Sequence, residues 1–138
     1  MLIKEIMTSD VDLISPEATL AEAAKKMKSE GIGILPVRDQ DKLVGMLSDR
    51  DIVLNSTAAG QNPTSATVRD AMHKSVLYVF EDDDVDDVAQ NMASNKVRRM
   101  PVLNHDKRLV GIVSIGDIAA SRNGKSAASA LHDICSAA

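Results

Sequence analysis

The stretch LVGMLSDRDI at residues 43–52 returns as LVGIVSIGDI at residues 109–118. Leu43, Val44, Gly45, Ser48, Asp51 and Ile52 meet Leu109, Val110, Gly111, Ser114, Asp117 and Ile118 at a spacing of 66. Working outward, Met7, Val11, Ala24, Met27, Ser29, Pro36 and Val37 meet Met72, Val76, Ala89, Met92, Ser94, Pro101 and Val102 at a spacing of 65, so one residue is inserted near His105. Internal repetition of this kind fixes architecture before local propensity is weighed. The chain reads as two copies of one unit, residues 1–58 and 68–122, with a linker at 59–67 and a helical tail at 123–138.

Each copy carries the same order of periodicities. Val11 to Ser15 and Val76 to Phe80 are short β-favouring runs, and the residues after each run switch to helical spacing. Thr19 and Glu22 have the spacing of a capping box, and Leu20, Ala23, Ala24 and Met27 form one apolar face. Val85, Val88, Ala89 and Met92 repeat that face, behind an acidic run, Asp82 to Asp87, suited to a helix N-terminus. Ile34 to Val37 with Leu43 to Leu47, and Met100 to Leu103 with Leu109 to Val113, flank polar turns and read as hairpins. Ser48 and Ser114 then open short helices. Each unit is β-α-β-β-α, an α/β (α+β) chain whose two sheets are expected to cover one another in a pseudo-twofold pair.

Composition removes several classes of function. A chain of 138 residues with 44% hydrophobic and 26% charged residues has the makeup of a folded protein rather than a disordered one. Tyr78 and Phe80 are the whole aromatic complement, and the net charge is −4, which speaks against nucleic-acid binding through stacking platforms in a basic groove. No apolar stretch has the length of a membrane span and the first ten residues hold no apolar signal region, so the expectation is a cytoplasmic protein that does not engage a membrane. Cys135 is the single cysteine, which leaves no intrachain disulfide.

Chemistry concentrates in the repeated G-x-x-S-x-x-D. Glycine late in a strand permits close approach of a ligand, serine at a helix start sits beside free N–H groups that attract phosphate, and a carboxylate three residues on accepts both hydroxyls of a ribose. Ser-x-x-Asp is equally a helix cap with no ligand, and spacing does not separate the two readings. Arg98 and Arg99, just before Met100 and Pro101, supply bidentate donors for a phosphate or else a solvated strand edge. Copy one has Gly33 and Ile34 there. His132 and Cys135 are three apart on the tail helix, a candidate metal pair that falls short of a closed site. His73 and His105 flank no nucleophile motif, and neither a P-loop nor a dinucleotide fingerprint occurs, so an enzyme is not expected.

These residues together, a methionine opening each copy, a methionine-bearing helix, LPV or MPV, then LVGMLSDRDI or LVGIVSIGDI, resemble the cystathionine-β-synthase (CBS) domain. Two copies are similar to a CBS pair, or Bateman module, and the AAG, YV, VRRMPV and ICS segments resemble stand-alone CBS-pair proteins of the hypoxic-response type. The resemblance implies a regulatory module, commonly a homodimer, that binds adenosine-containing ligands in clefts between the units and signals to a partner protein. It places Asp117 and Asp51 on the ribose, and Ser114, Arg98, Arg99, Arg50 and Ser48 on the phosphate. Val76, Tyr78, Met100, Pro101 and Ile112, with Val11, Leu35 and Met46 in the second cleft, become adenine walls, although residues at strand spacing serve equally as core. Copy two has Gly116 where copy one has Arg50, so the three arginines are expected to favour the Asp117 cleft. AMP, ADP or ATP is the expected regulatory ligand, with no cofactor required and NAD or S-adenosylmethionine as alternatives. A ligand-free scaffold for homodimerisation or protein interaction is the competing reading.

Overall fold

The computed structural model describes residues 1–74 and 76–136. The chain forms two compact units, Asp12–Val76 and Met1–Val11 with Leu77–Ala138. Neither is a contiguous repeat copy, because each copy gives its opening segment to the other copy's unit.

In the unit Asp12–Val76, α1 (Leu20–Glu30) precedes the hairpin β1 (Ile34–Asp39) and β2 (Lys42–Ser48), which runs into α2 (Asp49–Ile52) and a π-helical turn (Val53–Thr57). The predicted capping box forms: Thr19 Oγ1 accepts from the Glu22 N–H at 3.1 Å, and the Glu22 carboxylate accepts from the Thr19 N–H at 3.0 Å. Gly31 ends α1 at φ 65°, a left-handed backbone that glycine adopts without a Cβ penalty. Leu20, Ala23 and Met27 face the core, but Ala24 of the predicted apolar face is exposed.

The expected strand Val11 to Ser15 shrinks to one parallel bridge, Ile14 to Val37. Its counterpart β3 (Val79–Phe80) pairs with β4 (Arg99–Leu103) in the same register, Val79 opposite Val102, and Glu81 extends the ladder by donating to the Leu103 carbonyl at 3.0 Å. Copy one has Pro16 at the position of Glu81, and proline has no N–H for that bond.

Residues read as linker and as the start of copy two belong to the core of this unit. Ala66, Val68 and Ala71, the last two on α3 (Val68–Ala71), are buried with Leu20, Leu35, Val37 and Leu47. The reciprocal segment carries Ile3, on a 3-10 turn (Ile3–Glu5), into the core of the other unit with Val85, Met92, Val102 and Ile118. That unit consists of β3, α4 (Val85–Asn95), β4, β5 (Leu109–Ser114), α5 (Ile115–Ala120) and the tail helix α6 (Gly124–Cys135). The acidic run has structural partners: Asp84 caps α4 through the Asp86 N–H at 3.0 Å, and Asp83 accepts from the Phe80 N–H at 2.9 Å. Among the described residues no helix is long and apolar enough to cross a membrane.

Candidate functional site

Both repeated glycines lie where the opening segments cross the sheets. Met46 and His73 exchange backbone hydrogen bonds of 3.0 and 2.9 Å, and Ile112 and Thr8 exchange two of 2.9 Å. A Cβ on Gly45 would stand 2.6 Å from the His73 carbonyl oxygen, and one on Gly111 would stand 2.8 Å from that of Thr8. The close approach that glycine permits is therefore made by the chain itself. This corrects the reading of these glycines as room for a ligand.

At the end of each hairpin the strand becomes a helix with a reciprocal cap. Ser114 Oγ accepts from the Asp117 N–H at 3.0 Å, and Asp117 Oδ2 accepts from the Ser114 N–H at 2.8 Å. Ser48 and Asp51 repeat this at 3.0 and 2.8 Å. The capping reading is thus realised in both copies. A cap uses one carboxylate oxygen, so the decisive question is what the other one meets.

Here the copies differ. Asp51, 6% exposed, places Oδ1 2.8 Å from Nδ1 of His73, whereas Asp117 Oδ1 has no hydrogen-bond or ion-pair partner among the described residues. His73 is not among the expected site residues. Its signal is the repeat itself, which sets a histidine after Met72 and a threonine after Met7.

Strand pairing brings the backbone of Arg98 and Arg99 to the start of the Asp117 helix. Arg99 is paired with Ser114 across β4 and β5, and the Arg98 carbonyl accepts from the Ile115 N–H at 2.8 Å. Both arginines are exposed and neither forms an ion pair among the described residues; Arg98 reaches the Cys135 sulfur at 3.5 Å. At the matching corner of the other unit, a Cβ on Gly33 would lie 3.0 Å from the Asp49 carboxylate. That corner carries Asp49 and Asp51 against Arg50, while the Asp117 corner carries Arg98 and Arg99 against one aspartate. Counted over these residues, the first corner is net acidic and the second net basic.

The expected adenine walls divide by burial. Leu35 and Met100 are 0% and 1% exposed in the cores of their units and Pro101 is buried, so none of the three has open surface to offer. They are corrections to the expected walls: consecutive buried residues on β1 and β4 show strands covered on both faces, a pattern that spacing alone does not distinguish from a pocket wall. Val11, Met46, Val76 and Ile112 are half-buried and Tyr78 is exposed, so they retain surface to offer. His132 and Cys135 are exposed on α6, and among the described residues no group of three or more His, Cys, Asp or Glu side chains is placed to hold a metal ion.

Two α+β units, each completed by the opening segment of the other repeat and each ending its hairpin in a serine–aspartate helix cap, define a tandem-repeat module. The chain belongs to the CBS domain family, whose pattern matches residues 3–56 and 68–124. It is 42% identical over 135 residues to YlbB of Bacillus subtilis, covering 96% of this chain and 90% of that protein. Hypoxic response protein 1 of Mycobacterium tuberculosis is 40% identical over 117 residues, covering 84% of this chain and 81% of the relative. Among solved structures, Hypoxic Response Protein I with two coordinated zinc ions superposes at a TM-score of 0.78 with 38% identity over 86% of this chain and 97% of that one. A CBS domain pair in complex with 5′-methylthioadenosine and S-adenosyl-L-methionine gives 0.77 and 31% over 86% and 97%, and CBSX2 in complex with AMP gives 0.74 and 26% over 86% and 93%.

Proposed function

We propose that this CBS pair is a regulatory, non-catalytic module that binds AMP, ADP or ATP at the Asp117 corner and signals to a separate effector protein. The observation that carries this reading is the unpartnered oxygen of Asp117, on a helix whose start pairs through its backbone with Arg98 and Arg99. A carboxylate oxygen accepts a ribose hydroxyl, and exposed arginines on the strand paired with a serine helix start are available to phosphate oxygens. The same cations favour an adenylate over S-adenosylmethionine, whose sulfonium they repel and which brings no phosphate. Ser114 contributes at the phosphate end and Ile112 and Tyr78 beside the base. Arg50, exposed on α2, and Val76 are carried by the other unit and are tested by substitution. The module works in the cytoplasm as a homodimer.

Support also comes from relatives: one structural neighbour holds AMP and another holds adenosine-derived ligands. A thermal-shift series with AMP, ADP, ATP, NAD and S-adenosylmethionine tests the reading. Ligand at 100 times its dissociation constant adds about 2.7 kcal/mol of apparent stability. Asp117→Ala removes most of the shift with an adenylate, and Asp51→Ala leaves it. An unmoved midpoint with every ligand, together with flat calorimetry, overturns the proposal.

A second reading has its own observation. Val53 and Leu54, adjacent on the π-helical turn, are 54% and 49% exposed, which suits a protein-interaction scaffold without ligand. An oligomer that survives Asp117→Ala, together with absent nucleotide binding, decides in its favour.

A further inference from the structure

We infer that His73 is a built-in occupant of the Asp51 carboxylate, so that the chain offers one adenylate position rather than two. The inference rests on the proposed role of Asp117 as ribose acceptor. Asp51 and Asp117 are matched as caps: each is the third residue of its helix, and each spends Oδ2 on the N–H of its own capping serine at 2.8 Å. The remaining oxygen separates them. That of Asp51 lies 2.8 Å from His73 Nδ1, and that of Asp117 meets no partner among the described residues.

The crossing segments explain why. His73 follows Met72 and pairs through its backbone with Met46; Thr8 follows Met7 and pairs in the same way with Ile112. The two positions are equivalent, but one carries an imidazole long enough to reach the carboxylate. The other carries a short β-branched hydroxyl that makes no hydrogen bond among the described residues. With one oxygen on the helix cap and the other against His73, Asp51 lacks the open oxygen that Asp117 keeps, and a ribose hydroxyl has to compete with the imidazole for it. The His73 side chain is 67% exposed and that of Asp51 is 7% exposed, so the imidazole takes the solvent side of the pair. The neighbouring Asp49 carboxylate adds charge that repels a phosphate.

Titration calorimetry of AMP, and separately of ATP, into the intact chain decides the question. Wild type takes up one equivalent and His73→Thr takes up two, returning to one in His73→Thr with Asp51→Ala. Thr8→His, which installs the imidazole at the equivalent position, weakens wild-type binding at least about tenfold, or 1.4 kcal/mol. His73 joins the sheet by its backbone, and threonine, a good strand residue, keeps that pairing; circular dichroism verifies the fold of each variant. Two equivalents in wild type, one in His73→Thr, or unchanged affinity in a folded Thr8→His each overturn the inference. If wild type binds no adenylate, the reading of Asp117 fails by itself. His73→Thr then still decides: one new equivalent that Asp51→Ala removes supports the inference, and none overturns it.

Discussion

The sulfur of Met7 lies 2.7 Å from the point that a Cβ on Gly111 would occupy. Met72 stands in the same relation to Gly45, at 2.9 Å. The methionine opening each repeat thus packs on the glycine of the other repeat, and this reciprocal seating is how each unit is closed by sequence from the opposite copy. Glycine is required because Thr8 and His73, one residue on, bring their carbonyl oxygens within 2.8 and 2.6 Å of the same points.

Gly111→Ala and Gly45→Ala therefore destabilise. The backbone carbonyl cannot rotate away as a side chain would, and the cost is at least the roughly 1–3 kcal/mol typical of overpacking. Gly116→Ala is the contrast: its nearest neighbour would be Ser114 Oγ at 3.5 Å, and alanine inside α5 raises stability by up to about 1 kcal/mol. Urea denaturation of the three variants checks the order.

The cut of the chain into units predicts which fragments fold. Residues 12–76 retain α3 and its buried Val68 and show a cooperative thermal transition, whereas residues 1–58, the contiguous first copy, lack that part of the core and do not. Circular dichroism melts of the two peptides distinguish them.

Met92 on α4 is 0% exposed among aliphatic neighbours. Met92→Ala leaves a cavity and costs about 2–5 kcal/mol. Calorimetric unfolding reads the loss, and an unchanged midpoint would place the methionine outside the core.

His105 stacks on Phe80 at 4.9 Å and its Nε2 lies 2.8 Å from Asp82. The hydrogen bond to Asp82 holds the imidazole above its ordinary value, and the same bond holds Asp82 below the carboxylate range. The histidine's contribution to stability is complete below the ordinary imidazole value and fades as pH rises through the raised one. That of Asp82 is complete above the ordinary carboxylate value and fades as pH falls through the lowered one. The pair is exposed, so its effect is small and greatest in mildly acid solution. In Asp82→Asn the proton NMR titration of His105 moves down toward the ordinary imidazole value.

The local rules read from sequence hold where the responsible atoms are neighbours in the chain. Thr19 with Glu22, Ser48 with Asp51 and Ser114 with Asp117 form the caps that their spacing predicts, because a three-residue loop brings their groups together whatever surrounds them. The strand expected over Val11 to Ser15 is longer than the single bridge that forms. Its β-favouring composition does not reveal that Pro16 withholds the next ladder bond from a partner strand beyond the intervening helix.

The candidate site is legible in the sequence as a set of residue types and not as an arrangement. Asp51 and Asp117 share one Ser-x-x-Asp spacing and differ in the arginines around them, and Leu35 and Met100 have the spacing of either wall or core. Burial separates the second pair from the half-buried wall residues, and a contact from a distant segment, His73, separates the first.

Sequence alone determined the repeat, the CBS resemblance, the hairpins and the capped helices, since all depend on periodicity and on contacts a few residues apart. Only the tertiary structure decided that the opening segments cross, that the repeated glycines receive the backbones of Thr8 and His73, and that Asp51 is engaged while Asp117 keeps an oxygen open. The physical reason is that hydrogen-bond satisfaction and steric exclusion depend on which atoms arrive from elsewhere in the chain. Beyond the charges that differ between the two corners, the capping aspartates of the two copies diverge through the imidazole of His73, delivered by the opening segment of the other repeat.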